Sequence, residues 1–289
     1  MHKRSLFILN PISGTRLKKV LKKIMIHKIK NSEMIDIAYT EYGGHATQII
    51  KEQIDHYDIF VAVGGDGTVN EVATALIGTD KKLAIYPTGS GNGFAREMGF
   101  KPRIKSLINK INTANAQTID TLNINGTNCI NVAGIGFDAY VAHQFSKAKH
   151  RGLIRYALIS LKALFTYKAM KVNIHVNDEI IEENIFMLSI ANTRQFGNNA
   201  LIAPQANPSD GLFDLAIIKP FPKIMLIPFG IRLFMGSLKN SKYIKYIKTS
   251  VAIIECENDP LGHIDGEAVS FNNPTKIILT SSNLKVLTT

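Results

Sequence analysis

Apolar residues fall in short runs along the first 115 residues, and each run gives way to a polar or glycine-bearing loop and then to a stretch with helical spacing. Residues 5–9 read as a first strand, with Asn10, Pro11, Ile12, Ser13 and Gly14 as the turn after it. Leu17, Val20, Leu21, Ile24 and Met25 then recur at the three- and four-residue intervals of one helix face. A second strand over 34–39 leads through Thr40 and a glycine pair into a helix over 46–54. A third, 59–63, runs into Gly64, Gly65, Asp66, Gly67 and Thr68 before a helix over 69–77 that begins Val69-Asn70. Residues 82–85 form a fourth strand, followed by the loop PTGSGNGFAR and a helix over 103–111. Repeated strand, loop and helix predict a doubly covered parallel sheet for residues 1–120, with its unusual loops at the carboxyl ends of strands, where such sheets bind ligands.

After Asp120 the rhythm shortens to turn-bounded runs at 121–124, 128–134, 171–176, 185–190, 212–218, 251–256 and 275–279. Asn125-Gly126 and Asn177-Asp178 sit between such runs as hairpin turns do. A second, antiparallel domain over 121–279 is expected. Two helical insertions interrupt it, at 151–168 and 221–236. Both read as core-packing helices, with a lipid-accepting groove or bilayer contact as the alternative.

The 34 basic and 23 acidic side chains give a net charge of +11, and the excess gathers in acid-free windows at 16–30, 147–171 and 219–248. Such windows suit nucleic acid, anionic lipid or a phosphorylated small molecule, or are simply a solvated basic face. With 45% hydrophobic and 20% charged residues, disorder is a poor reading. Cys129 and Cys256 match no metal or redox spacing, which fits a reduced, cytoplasmic interior. Asn10 and Pro11 end the amino-terminal apolar run too early for a secretory signal, and no window holds the roughly 18 apolar residues of a spanning helix. Membrane contact is therefore expected to be peripheral.

The glycines at 64, 65 and 67 permit close backbone approach and can present amides to phosphate beside a helix start. Asp66 would repel bare phosphate, so a nucleotide reading needs Mg²⁺ or a phosphoryl acceptor near it; the alternative is a residue that caps its own turn. Asn10, Gly14, Thr40, Ser90 and Asn92 follow strands and carry groups suited to a nucleotide. No P-loop and no strand-linked dinucleotide fingerprint occurs: the GxGxxF within PTGSGNGF has a bulky last position. In GHIDGEAV, Asp265 and Glu267 are a turn or a site for a base. In NPSDGLFD, Asp210 and Asp214 cap backbone groups, or Asp210 joins carbonyls around a hard cation.

Together NPISG, Thr40 with Gly44-His45-Ala46, GGDGTVNEV, PTGSGNGFAR, GIGFDAYV, DGLFD and IDGE, in this order, resemble the diacylglycerol kinase catalytic-domain family, which includes bacterial lipid kinases and sphingosine kinases. The resemblance implies an α/β domain and a C-terminal β-sandwich that together take ATP and a lipid alcohol, with a tail at 280–289 returning to the first domain. It implies nucleotide contacts at Asn10 to Gly14, Thr40, Gly64 to Asn70 and Ser90, a catalytic base at Glu267, and Asp66 and Asp120 in an acidic network near the reaction centre. It further implies a structural Mg²⁺ at Asn207, Asp210 and Leu212. The partners implied are a membrane lipid substrate and an anionic membrane surface, not nucleic acid, with a homodimer left open. NAD kinase and a non-catalytic nucleotide- or lipid-binding regulator are the alternatives. One departure bears on the acceptor: Gly93 stands where many bacterial diacylglycerol kinases carry aspartate, and the GSGN of this loop resembles the sphingoid-lipid branch, which favours a sphingoid acceptor.

Overall fold

The structure, a computed structural model, describes residues 4–11, 35–113, 115–147 and 153–288. The helix expected over 17–25, and with it Ile12, Ser13 and Gly14, lies outside the described residues. The chain divides into two units, Met1–Ile119 with Ser282–Thr289, and Asp120–Ser281.

In the first unit β1 (Ser5–Leu9), β2 (Ile35–Tyr39), α1 (His45–Gln53), β3 (Ile59–Gly64), α2 (Asp66–Leu76), β4 (Lys82–Pro87), α3 (Gly93–Glu97) and α4 (Ile104–Thr113) follow one another. The strands pair in the order β2-β1-β3-β4, all parallel, with Ser5 opposite both Ile35 and Ile59, and Ile59 opposite Lys82. Every position of β1 and β3 is buried, as a parallel sheet covered on both faces requires. The end of the chain's last strand, Thr275–Leu287, adds to this sheet, with Lys285 parallel to Lys82.

The second unit is an antiparallel sandwich, as its turn-bounded runs predict. Its strands are β5 (Ala116–Ile124, which enters from the first unit), β6 (Thr127–Cys129), β7 (Val132–Gly136), β8 (Met170–Val176), β9 (Glu179–Ile185), β10 (Met187–Ala191), β11 (Phe213–Ile218), β12 (Ile244–Thr249), β13 (Val251–Cys256), β14 (Leu261–Ile264), β15 (Glu267–Ser270) and β16 (Thr275–Leu287). One layer runs β12-β11-β10-β7-β14-β15, and the other contains β16-β13-β8-β9 with the β5–β6 hairpin beside β16. Leu122, Ile135, Ile174, Leu188, Leu215 and Ile254 fill the space between the layers. Helices α5 (Phe137–Ser146), α6 (Leu153–Thr166) and α7 (Leu226–Met235) accompany it.

Three boundaries differ from expectation for identifiable reasons. Helix α2 begins at Asp66, not at Val69: Gly65 is its extended N-cap, and an acid in the first turn suits the positive end of the helix dipole. The run at 128–134 breaks at Ile130 and Asn131, whose amides are taken by the Asp265 carboxylate at 3.1 and 2.9 Å. The run at 185–190 breaks at Phe186 because the chain changes layers there: Ile185 pairs with Met170, whereas Met187 pairs with Gly136 and Ile218. The two insertions are not core helices throughout. α7 buries none of its residues, and Leu158, Leu161 and Phe165 of α6 face outward.

Candidate functional site

In the first unit the loops after β1, β3 and β4 are joined by the protein's own polar groups. Asn10 Nδ2 donates to Thr68 Oγ1 at 3.4 Å, and Thr40 returns its amide to Leu9 O at 2.9 Å. The Asp66 carboxylate accepts the Asn92 amide at Oδ2 and the Gly93 amide at Oδ1, both at 2.9 Å. Asp66 does not cap its own turn, as the structural alternative expected: its carboxylate caps α3 on the neighbouring loop. Thr88 N donates to Gly64 O at 2.8 Å, and Asn92 Nδ2 to Gly89 O at 2.7 Å. The glycine at 89 is needed for packing, because a Cβ there would stand 2.8 Å from the Gly65 Cα.

This arrangement presents the start of α2 with no side-chain acceptor on its N-cap, so the Gly67 and Thr68 amides can receive an anion. Ser90 lies in the loop that Asp66 clamps, and Val69 N closes the first helical turn on Gly65 O at 3.0 Å. Pro11 follows Asn10 in the turn after β1. For magnesium carried by a nucleotide, Asp66 offers a hard carboxylate donor at this loop, which with phosphate oxygens and water is the usual complement. The residues fit that group. Glu71, which sequence reading passed over, accepts the Ala46 amide at 2.6 Å and so ties α2 to the start of α1.

In the second unit the candidate base Glu267 is exposed at the first position of β15. The turn that delivers it is Asp265-Gly266, with φ of 51° and 87°. Asp265 is buried, and besides the two amides it accepts the Cys129 thiol at 3.2 Å. Burial, with the Asp265 charge, pushes that thiol well above its ordinary pKa, so it remains a neutral donor. His263 Nε2 donates to Asp138 Oδ2 at 3.0 Å, both side chains buried. The two meet over Gly134, where a Cβ would collide with the Asp138 carboxylate and stand 3.0 Å from His263 Nε2. His143 Nε2 lies 3.1 Å from Gly262 O and 2.8 Å from Val269 O; both are acceptors, so this nitrogen carries the proton. The β14–β15 hairpin is thus fixed from three sides by side chains more than 100 positions away in sequence. The sequence marks Asp265 as a turn or base site and Cys129 only for its spacing, not as a group that holds this hairpin.

Asp120 is 1% exposed and accepts the Gly211 amide at 2.8 Å, while its own amide donates to Pro208 O at 2.7 Å. It therefore holds the turn carrying Asn207, Asp210 and Leu212. Within the turn Asn207 Oδ1 accepts from Ser209 N at 3.2 Å, and Asp210 Oδ1 from Leu212 N at 3.1 Å. Asp210 Oδ2 accepts the Lys248 ammonium at 2.7 Å, and Asp214 Oδ2 lies 3.9 Å from the same nitrogen. The turn as it stands is braced by an internal ammonium, and magnesium would have to compete with Lys248. Among the described residues there is no group of three or more His, Cys, Asp or Glu side chains placed to hold a metal.

A groove of about 160 Å³ runs between the end of α6 and the start of α7, lined by Leu164, Tyr167, Phe186, Phe221 and Leu226, with Lys223 among them. Burial pushes the Tyr167 hydroxyl up to about 12, with the Asp138 charge adding to it, so it stays neutral. Among the described residues no helix is long and apolar enough to cross a membrane.

Comparison with known proteins gives the family and the fold. Residues 4–124 match the model of the diacylglycerol kinase catalytic domain, and 131–288 that of the YegS C-terminal NAD kinase beta sandwich-like domain. A diacylglycerol kinase of Bacillus subtilis (strain 168) is 30% identical over 274 residues, 92% of this chain and 90% of that one. The crystal structure of a diacylglycerol kinase from Bacillus anthracis str. Sterne superposes with a TM-score of 0.76 at 22% identity, over 99% of this chain and 97% of that one. Yeast NADH kinase shares the fold more distantly, with a TM-score of 0.55 at 9% identity over 100% of this chain and 84% of that one.

Proposed function

The chain belongs to the diacylglycerol kinase catalytic-domain family, and from that premise we propose that it transfers the γ-phosphoryl group of Mg²⁺-ATP to the hydroxyl of a diacylglycerol- or sphingoid-type lipid at a membrane surface. The observation that carries the reading is the Asp66 clamp. It holds the loop after β4 against the start of α2, which in this reading leaves the amides at the start of α2 to meet the phosphates. Asn10 to Gly14, Thr40, Gly64 to Asn70 and Ser90 bind the nucleotide in this reading. Magnesium bound with ATP offsets phosphate charge, and Asp66 is the residue that would meet it.

Glu267 takes the proton from the acceptor hydroxyl as the lipid oxygen bonds to the γ-phosphorus. The bond from that phosphorus to the bridging oxygen of the β-phosphate breaks, and ADP leaves with the electron pair. An exposed carboxylate on a rigid hairpin suits this role: the group reaches the substrate while Asp265 and His263 hold its backbone. Asp120 contributes by holding the turn at 207–212.

For the acceptor, the GSGN loop favours a sphingoid base through its resemblance, whereas the Bacillus subtilis relative is a diacylglycerol kinase. Gly93 donates its amide to Asp66, so in this reading the departure lies in the nucleotide loop and not at the acyl chains. Purified protein with labelled ATP, Mg²⁺ and equimolar diacylglycerol, monoacylglycerol, sphingosine, dihydrosphingosine, ceramide and NAD in mixed micelles tests the proposal. Labelled lipid is the expected product, and its identity fixes the acceptor. Labelled NADP without labelled lipid would instead make the chain an NAD kinase, and ATP binding without any product a regulator.

A further inference from the structure

α7 has apolar residues on two sides, and only one is used by the fold. Phe229 and Leu233 pack inward on the cluster around Met187, Ile218 and Leu238. On the other side Ile224, Ile227, Ile231, Phe234 and Met235 form a second stripe at helical spacing, with Ile224 83% and Ile227 75% exposed. Leu158, Leu161 and Phe165 on α6 extend it, since Lys223 places its ammonium 4.9 Å from the Phe165 ring centre. A water-facing helix ordinarily turns charge outward, so this stripe needs an occupant.

Charge selects the occupant. The chain carries no Asp or Glu from 139 to 177 or from 215 to 254, the two stretches that build α6, α7 and their flanks. Arg155, Lys162, Lys223 and Lys239 are exposed there. An apolar stripe whose own segments carry cations and no acids complements an anionic lipid surface, where the aliphatic stems lie along the acyl boundary and the ammonium groups reach phosphate. At ten residues α7 is about 15 Å long, suited to lying in the interface and too short to span it.

We propose that the outer face of α7, continued by Leu158, Leu161 and Phe165 of α6, inserts into the headgroup region of an anionic bilayer and is the surface by which this protein docks to membrane. The proposal rests on the lipid-kinase reading for why the protein visits a bilayer, but its geometry is independent of catalysis.

The test uses the full chain without ATP. Vesicles of phosphatidylglycerol with phosphatidylcholine, and of phosphatidylcholine alone, are sedimented with the wild type and with the double variant Ile227→Asp/Phe234→Asp. Both positions are exposed, so the fold should persist. The wild type is expected to prefer the anionic vesicles, to bind less in high salt and to keep part of its binding there, while the double variant loses roughly tenfold or more at either salt. Because the chain contains no tryptophan, Phe234→Trp gives a single reporter whose emission should shift to the blue on anionic vesicles and be quenched by brominated acyl chains.

Vesicle binding by the double variant equal to that of the wild type would overturn the proposal. So would concentration-dependent self-association that the double substitution abolishes while vesicle binding persists, since the stripe would then be covered by a second copy. Turnover on a short-chain diacylglycerol dispersed as monomers separates the two claims. Unchanged turnover with lost vesicle binding supports docking through α7, whereas α7-dependent docking with no lipid phosphorylated would sink the kinase reading alone.

Discussion

In the first unit the candidate chemistry is carried by backbone, and in the second by a side chain held in place by other side chains. The loops after β3 and β4 approach so closely that a Cβ on residue 89 would be 2.8 Å from the Gly65 Cα, and one carboxylate, Asp66, fastens them through two amides. The β14–β15 hairpin bears an exposed Glu267 whose place depends on Asp265, His263 with Asp138, and His143. An anion site of amides needs no reorganisation to receive phosphate, so it can be built from short, local segments. A base must be aimed, and the buried groups that aim it come from distant strands.

The largest effect on stability is expected in the second region. Changing His263 to Leu leaves Asp138 Oδ2 buried with the Ser189 hydroxyl at 3.4 Å, while Oδ1 keeps the Ala139 amide at 2.8 Å, and losing one partner of a buried pair costs about 3–5 kcal/mol. Urea unfolding would measure it. Adding Asp138→Asn to this variant should recover part of the loss. Unfolding midpoints equal to the wild type's in the single variant would mean that the pair does not hold the hairpin.

Next is the close approach in the first region. Gly89→Ala should lower kcat/KM for ATP roughly 100-fold by forcing the two loops apart, about 2.7 kcal/mol. Gly43→Ala, where a Cβ meets nothing within 4 Å, should leave it unchanged. Equal kinetics of the two variants would remove the packing argument.

The contrast also explains what could be read from sequence. The strand, loop and helix rhythm, the GGDGT and GSGN loops and the hairpin turns at 125–126 and 177–178 are local features, and local periodicity and turn chemistry report them. Asp138 and His263 were not legible as a pair, because nothing local says that residues 125 positions apart meet over Gly134. For a related reason the sequence leaves core packing and bilayer contact both open for α7: apolar spacing reveals a face but not what covers it. The strand break at Ile130 was hidden because its cause, Asp265, lies 135 positions downstream.

The smallest expected effect concerns the turn at 207–212. The Lys248 pKa is raised, first by its hydrogen bond to Asp210 and then, against the opposing effect of burial, by the Asp214 and Asp210 charges. A raised lysine pKa means stability that is fully present below the unfolded value, 10.5, and lost as pH rises through the folded one. Because the pair is partly exposed, Lys248→Met should cost about 1 kcal/mol or less. The difference in Tm between wild type and variant should hold steady from neutral pH and shrink above pH 10.5. Millimolar Mg²⁺ should raise the variant's Tm more than the wild type's, since the carboxylates have lost their ammonium. A large Mg²⁺ response in the wild type would show instead that metal displaces Lys248.

The division of labour between the two regions is tested most directly by measuring Mg²⁺-ATP affinity by calorimetry and lipid turnover by label transfer in the same preparations of wild type, Glu267→Gln and Gly89→Ala. Glu267→Gln should keep its ATP affinity while turnover falls about 10²- to 10⁴-fold, and Gly89→Ala should lose affinity and turnover together. Near-full turnover in Glu267→Gln, or a loss of ATP affinity there matching that of Gly89→Ala, would contradict the assignment of the base to the second unit and of the nucleotide to the first.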